Sequence, residues 1–427
     1  MTMKIGIVGT RGVPARYGGF ETCAEELAKR LAARGHRVYV ACRRYLYPEA
    51  WGEKQKQDCR AKTGLPRSQT TFPRNDNVNI FFPPSLPGKA TDTFSHTFFG
   101  VFFILFFQPV DVFLVFNIAN SPLVLLLRIL GKRAALNTDG LEWKRRKWGP
   151  LARAYFRFCE LVACLSGAAL ISDSRAIADY YRRKYGKRTV FIPYGAEVGR
   201  GCNPSPTLMR GSRAENGIAA PPNATGGTPV LPNGARNDIL REYGLEKSGY
   251  LLVVGRLESE NNADLIIRAF QKVKTDKLLI VVGGTNWKSF YSRRLKKTED
   301  PRVRFLGAVY RPGHLNKLLE GCYFYVHGHE VGGTNPALLQ AMGCGCCVLA
   351  LETIFNLEAA GEAGLFFAKD EQALAQKMQY LLANPEVVRY YLGAAPERIK
   401  KFYSWNRVVE EYEKILTRDC HAGLRSQ

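Results

Sequence analysis

A chain of 427 residues exceeds what one hydrophobic core organises, which stops growing at roughly 250 to 300 residues, so two domains are expected. Apolar residues make up 46% and charged residues 23%, a composition that excludes a disordered chain. The net charge of +23, concentrated at 142–147, 181–188 and 292–297, favours anionic partners: nucleotides, nucleic acid or an acidic membrane face.

The first elements are strand-like runs at 4–8 (KIGIV), 37–42, 78–82, 111–116, 133–137, 168–172 and 189–192. Helical patterns lie between them; over 20–33, Phe20, Cys23, Ala24, Leu27, Leu31 and Ala32 share one face. Residues 48–77 are polar and patternless, and 199–236 are rich in Gly, Pro, Asn and Ser, so both read as insertions. Alternation resumes with strands at 250–255, 277–282, 302–306, 322–326 and 347–351 and helices at 262–273, 313–320 and 335–342. The pattern predicts an α/β chain of two Rossmann-like, doubly wound parallel-sheet domains facing a cleft. Their expected bounds are 1–192 and 193–400, followed by a C-terminal helix and tail at 401–427.

No basic segment, apolar run and small-residue cleavage site opens the chain, so a cytoplasmic location is expected. Eleven scattered cysteines agree with that compartment, and Cys344, Cys346 and Cys347 read as small apolar residues entering a buried strand rather than as metal ligands. The run "FFGVFFILFF" at 98–107 is too short to span a bilayer, which needs about 20 residues. It reads as a buried helix or as a Phe-rich helix resting on lipid.

Three stretches carry chemistry. "GTRGVPARYGGFE" at 9–21 leaves the first strand and enters a helix through Gly18 and Gly19, where amides and the helix dipole attract an anion. It lacks the G-x-G-x-x-G spacing, and the second strand ends without an acid, so a dinucleotide is disfavoured. In the second half, "HGHEVGGTNPALLQAMGCG" at 327–345 passes through Gly332, Gly333, Thr334 and Asn335 into a helix at Pro336. "VVGRLESENN" places Arg256 just past a strand end, where a guanidinium can clamp a diphosphate. Together these point to a nucleotide diphosphate ligand. Two histidines, His327 and His329, flank Gly328, but with no third ligand evident a metal is not expected.

With "LNTDGLEWKRRKWG" and "FIPYGAE", these motifs resemble glycosyltransferase family 4 enzymes of GT-B fold, and more narrowly a bacterial rhamnosyltransferase-like branch that builds cell-surface polysaccharides. The resemblance covers almost the whole chain except 48–77 and 199–236. It implies retaining transfer from a nucleotide diphosphate sugar, dTDP-L-rhamnose being the expected co-substrate, without a metal or other cofactor. Arg256 would hold the diphosphate; the family's companion Lys falls at Asn261. The family's two glutamates fall at Gly332 and Gln340, and a neutral Gln340 offers ribose hydroxyls one accepting oxygen instead of two. Arg256, Thr334 and the amides of Gly332 and Gly333 suit stabilisation of the leaving diphosphate.

Asp139 falls where many relatives carry a donor-facing His, with Glu142 as a second carboxylate; turn capping is the competing role for both. Asn117 closes a strand and can bond a sugar hydroxyl or cap its loop. Arg11 and Arg16 are candidates for the phosphate or an anionic acceptor. The expected partners are a nucleotide sugar and a saccharide or lipid-linked acceptor, with peripheral contact to an anionic inner leaflet through the basic surface and 98–107. A competing reading, motivated by Asn261 and Gln340, is a catalytically weakened nucleotide-sugar-binding partner in a polysaccharide assembly. Nucleic-acid binding rests on charge alone, since no aromatic stacking platform accompanies the basic runs.

Overall fold

The computed structural model describes residues 2–15, 19–46, 77–86, 91–145, 148–199, 239–284, 290–311 and 313–418. Arg16, Gly18 and nearly all of the two insertions lie outside the described residues. Contacts divide the chain into two units: Met1–Gly195 with Val331–Pro336 and Tyr403–Gln427, and Ala196–Glu330 with Ala337–Phe402.

The first unit is built on β1 (Lys4–Val8), α1 (Gly19–Ala33), β2 (Arg37–Ala41), β3 (Val78–Phe81), α2 (Thr91–Phe107), β4 (Val112–Phe116), α3 (Ser121–Ile129), β5 (Arg133–Asn137), α4 (Pro150–Leu165), β6 (Ala169–Ser172), α5 (Arg175–Tyr185) and β7 (Val190–Phe191). Its seven strands are all parallel in the order β3-β2-β1-β4-β5-β6-β7. Val- and Ile-rich strands such as β4, VFLVF, are buried along their whole length because helices cover both faces of a parallel sheet. The crossovers from β3 to β7 all advance the same way, so right-handed connections put α2 to α5 on one face, and the opposite advance from β1 to β2 puts α1 on the other.

The Phe-rich helix α2 is neither wholly buried nor wholly exposed. Ile104 and Val101 are fully buried, and a Cβ on Gly6 of β1 would lie 3.1 Å from Ile104 Cδ1, so glycine in the strand lets the helix approach. Phe106 and Phe107 at its end stand in solvent.

The second unit contains β8 (Tyr250–Val254), α6 (Ala263–Gln271), β9 (Leu278–Val282), α7 (Phe290–Leu295), β10 (Val303–Gly307), α8 (His314–Gly321), β11 (Tyr325–His327), α9 (Pro336–Gly343), β12 (Val348–Leu351), α10 (Ile354–Ala360), β13 (Leu365–Phe367), α11 (Glu371–Ala383) and α12 (Pro385–Phe402). Its six parallel strands run β10-β9-β8-β11-β12-β13. The core between sheet and helices gathers Leu251, Ile266, Phe270, Leu279, Phe324, Leu349 and Met378. The strand expected at 322–326 starts later, because Cys322 still caps α8 by donating its amide to Leu319 O.

The final helix, α13 (Trp405–Thr417), belongs to the first unit. Tyr412 is buried and its hydroxyl accepts from Asn137 Nδ2 at 2.8 Å, while Glu413 pairs with Arg34 and with His36 of the first unit. Without a side chain at Gly195 the backbone meets the Trp405 ring.

Candidate active site

In open parallel sheets, ligands sit beyond the carboxyl ends of the strands where the strand order reverses. Each unit has one such point: β1 beside β4 in the first, β8 beside β11 in the second.

At the first, Gly9 leaves β1 with φ 91°, and any Cβ there would overlap Phe116 O at the end of β4. The loop that follows contains a cis Val13–Pro14 peptide. Helix α1 holds this loop: Glu21, buried, accepts the Arg11 amide at 3.1 Å, and Glu25 accepts the Ala15 amide at 2.6 Å. These two bonds take loop amides that precede the helix start and fix the loop to α1. The Arg11 side chain is half-buried. Asn117, at φ 73°, accepts the Ala119 amide at 2.9 Å, so its oxygen caps its own loop. Gly19 opens α1, and a Cβ there would lie 2.7 Å from Pro336 Cγ.

Asp139 ends β5 in the left-handed region, φ 59°, with its amide donated to Asn137 Oδ1 at 3.1 Å. Asn137 is in turn bonded to Tyr412, so α13 helps to fix the strand end that presents Asp139. Glu142 is buried: one oxygen pairs with Arg145 at 2.6 Å and the other accepts from Trp148 Nε1 at 3.0 Å. Both of its oxygens are thus engaged in holding the 141–148 loop.

The Gly332–Asn335 turn lies within the first unit. A Cβ on Gly140 would sit 2.6 Å from Gly332 Cα, and one on Gly333 would overlap the Asp173 carboxylate. Thr334, buried, donates its hydroxyl to Asp173 O. Gly332 is demanded by its φ of 145° and Gly333 by the Asp173 carboxylate, causes that the anion-binding reading of the sequence did not contain. The Thr334 hydroxyl, expected to face a leaving group, is committed to that carbonyl.

At the second reversal point, Arg256 follows Gly255 beyond β8 and is half-buried. Asn261 donates Nδ2 to Arg256 O at 2.6 Å and its Oδ1 lies 2.5 Å from His329 Nδ1, so the residue at the expected lysine position braces the arginine's backbone. Asn262, left-handed at φ 52°, donates to Gly328 O at 2.8 Å. A Cβ on Gly328 would overlap Asn261 O, so only glycine lets the β11 end meet this turn. His327 is buried, its Nδ1 3.0 Å from the Tyr325 hydroxyl, and burial pushes its pKa down to about 3. It is a neutral core histidine, not a free base. On α9, Gln340 donates Nε2 to Asn316 Oδ1 of α8 at 2.6 Å.

One residue here escaped sequence reasoning. Lys369, two residues past β13, pairs with Glu330 at 2.5 Å, and Glu330 also receives Asn262 Nδ2 at 3.5 Å. It brings a cation to the Asn262–Glu330 pair, where Glu330 balances its charge. Its signal was present as a cation just past an apolar run, "LFFAK", but a three-residue strand is too short for periodicity to register.

Two doubly wound sheets with matching strand order constitute a GT-B fold. The sucrose-phosphate synthase of Thermosynechococcus elongatus superposes with a TM-score of 0.69 at 17% identity, over 97% of this chain and 98% of that one. HepE of Anabaena in complex with UDP-glucose superposes with a TM-score of 0.65 at 14% identity, over 97% and 99%. Residues 248–384 match the family described as Glycosyl transferases group 1, and residues 2–61 and 116–197 match a domain of unknown function, DUF1972. The second unit thus resembles a group 1 glycosyltransferase domain, and the matches support a glycosyltransferase family. Among curated proteins the chain is 27% identical over 161 residues to the Campylobacter jejuni N-acetylgalactosamine-N,N'-diacetylbacillosaminyl-diphospho-undecaprenol 4-alpha-N-acetylgalactosaminyltransferase. That match covers 36% of this chain and 43% of the relative, so the chain spans less than half the length of the protein it matches.

Proposed function

We propose that this protein is a retaining glycosyltransferase that moves a sugar, L-rhamnose from dTDP-L-rhamnose, to a saccharide or lipid-linked saccharide in cell-surface polysaccharide synthesis. The observation that carries the reading is Arg256 beyond β8, in the reversal point of a domain that matches group 1 glycosyltransferases. The Campylobacter relative's name specifies a diphospho-undecaprenol acceptor, and the HepE complex holds UDP-glucose; both support a nucleotide-sugar donor and a lipid-linked acceptor. The reading includes peripheral contact with the inner membrane face; among the described residues no helix is long and apolar enough to cross a membrane.

In this reading the bond between the sugar's anomeric carbon and the diphosphate oxygen breaks as the acceptor oxygen bonds to that carbon on the same face. The acceptor proton leaves with the departing nucleoside diphosphate. Charge grows on the leaving oxygen, and Arg256 supplies fixed positive charge for it. The amides of Gly332 and Gly333 add donors, Asp139 contacts the sugar or orients the acceptor hydroxyl, and Gln340 meets the ribose. Arg11 and Arg16 contact the phosphate or an anionic acceptor. No metal or other cofactor takes part.

A panel of nucleotide sugars scored by thermal shift tests the donor. A rise specific to dTDP-L-rhamnose is expected, a rise with a different sugar corrects the donor, and no response to any overturns the enzyme reading. The competing reading, a weakened binding partner, is favoured by Asn261 and Gln340 standing at the family's Lys and Glu positions. Turnover in the native protein rejects it; activity that rises from near zero only in Gln340→Glu upholds it.

A further inference from the structure

Helix α4 carries two faces of opposite character. Inward, Phe156, Cys159 and Ala163 are buried, and Glu160 in their midst is buried and accepts from Trp143 Nε1 at 3.0 Å, Tyr180 at 2.7 Å and Tyr185 at 2.8 Å. These bonds lock the helix to α5 and set its rotation. Outward, Leu151 is 88% exposed, Phe158 54%, Leu161 46% and Leu165 72%. At about 100° per residue these four fall within one narrow sector, so they form a continuous apolar stripe that the Glu160 network prevents from turning inward. Large apolar side chains exposed in a row mark an interaction surface.

The charge around the stripe says what covers it. Between 141 and 190 there are twelve Lys and Arg against four Asp and Glu. Three of those acids, Glu142, Glu160 and Asp173, are buried, and the fourth, Asp179, pairs with Arg182. Arg153 and Arg157 on α4 itself are exposed, and Arg157, Lys144 and Lys184 gather over the single Trp143 ring at 4.5, 5.6 and 5.6 Å. Helix α5 lies on the same sheet face and adds Arg183. Lys184 also pairs with Glu160 at 3.4 Å, and the stripe remains flanked by a net excess of cations, which suits the boundary between acyl chains and anionic headgroups. By contrast, no Lys or Arg occurs in α2, so its exposed phenyl rings lack the charge that this surface would need.

We infer that the outer face of α4, and not the Phe-rich helix α2, is the surface by which this protein docks on an anionic phospholipid bilayer. The inference deepens the reading of a membrane-bound acceptor and rests on it for the biological setting only. Its test needs neither donor nor acceptor: the full chain is sedimented with phosphatidylcholine vesicles with and without phosphatidylglycerol, at low and high salt. The wild type is expected to bind only the anionic vesicles and to be released by salt. The triple variant Phe158→Ser, Leu161→Ser, Leu165→Ser, whose residues are already in water, should keep its melting temperature and lose at least about tenfold in vesicle affinity. Phe106→Ser with Phe107→Ser should lose distinctly less. Absence of wild-type binding, unchanged binding in the α4 variant, or an equal or greater loss in the α2 variant overturns the inference. So does vesicle-free self-association that the α4 variant abolishes, which would assign the stripe to a second copy. Failure here leaves turnover on a soluble acceptor intact, whereas failure of the glycosyltransferase reading leaves vesicle binding intact.

Discussion

The two units share a strand order and differ in what they place at its reversal point. Beyond β1, two carboxylates of α1, Glu21 and Glu25, take the loop amides, so the first unit meets its ligand side with acids already in place. Beyond β8, Arg256 stands with Asn261, Asn262 and His329, while Lys369 is paired with Glu330, so the second unit offers a cation and amides. A shared strand order therefore carries different electrostatics, because the sheet fixes only where the loops emerge and the loops decide what they bind.

The sharpest break of this comparison is a pair of arginine substitutions. Arg256→Ala should lower turnover by about 10²- to 10³-fold while melting unchanged, as expected for a donor aimed at developing charge, whereas Arg11→Ala should cost about tenfold or less. Steady-state kinetics on both variants decides, and equal losses would erase the distinction between the units.

A step down in size, both reversal points depend on a glycine pressed against a neighbouring backbone. A Cβ on Gly9 would overlap Phe116 O, and one on Gly283, φ 146°, would overlap Gly255 O, whereas Gly35, φ 92°, has open space around it. Gly35→Ala isolates the backbone conformation alone, about 1 to 2 kcal/mol. Gly9→Ala and Gly283→Ala should each exceed it by about 1 kcal/mol or more in urea unfolding, because a carbonyl must also move. Equal costs at all three would show that the crowding relaxes freely.

The smallest effect concerns one buried histidine in each unit. His96 of α2 is pushed down to about 4 by burial and then by Arg43, with Asp92 opposing, and His327 to about 3 by burial alone. A lowered histidine pKa means that the unfolded chain binds the proton first. Stability is then complete above about pH 6.5 and falls as pH drops toward the folded values, by at most about 1.4 kcal/mol per pH unit for each group. Urea midpoints at pH 7 and pH 5 should show the slope, and His327→Gln should flatten it by one histidine's share. A slope unchanged in that variant would remove His327 as its source.

How much was legible beforehand varied with the kind of evidence. All strands but the three-residue β13 were readable because each is a short apolar run bounded by polar turns, and alternation with amphipathic helices implied parallel order. The position of Arg256 was readable because it follows directly on the apolar run of β8. The character of α2 was not: a run that is apolar on every side has no polar face to mark solvent, and only its approach to Gly6 chose the buried side. Glu142 looked like a spare carboxylate because Arg145 and Trp148 are ordinary surface residues until the 141–148 loop folds them onto it.

The amino-acid order by itself determined the two sheets, the ends of their strands and the residue types waiting there, since those follow from local periodicity and turn chemistry. Only the tertiary structure decided which of those groups remain available. Gly333 makes room for the Asp173 carboxylate and Gly140 for the Gly332 backbone, Thr334 spends its hydroxyl on Asp173 O, and Tyr412 reaches Asn137 from 275 residues away. Hydrogen-bond partners so distant in sequence are chosen by packing, and packing leaves no period in the chain for a reader to find.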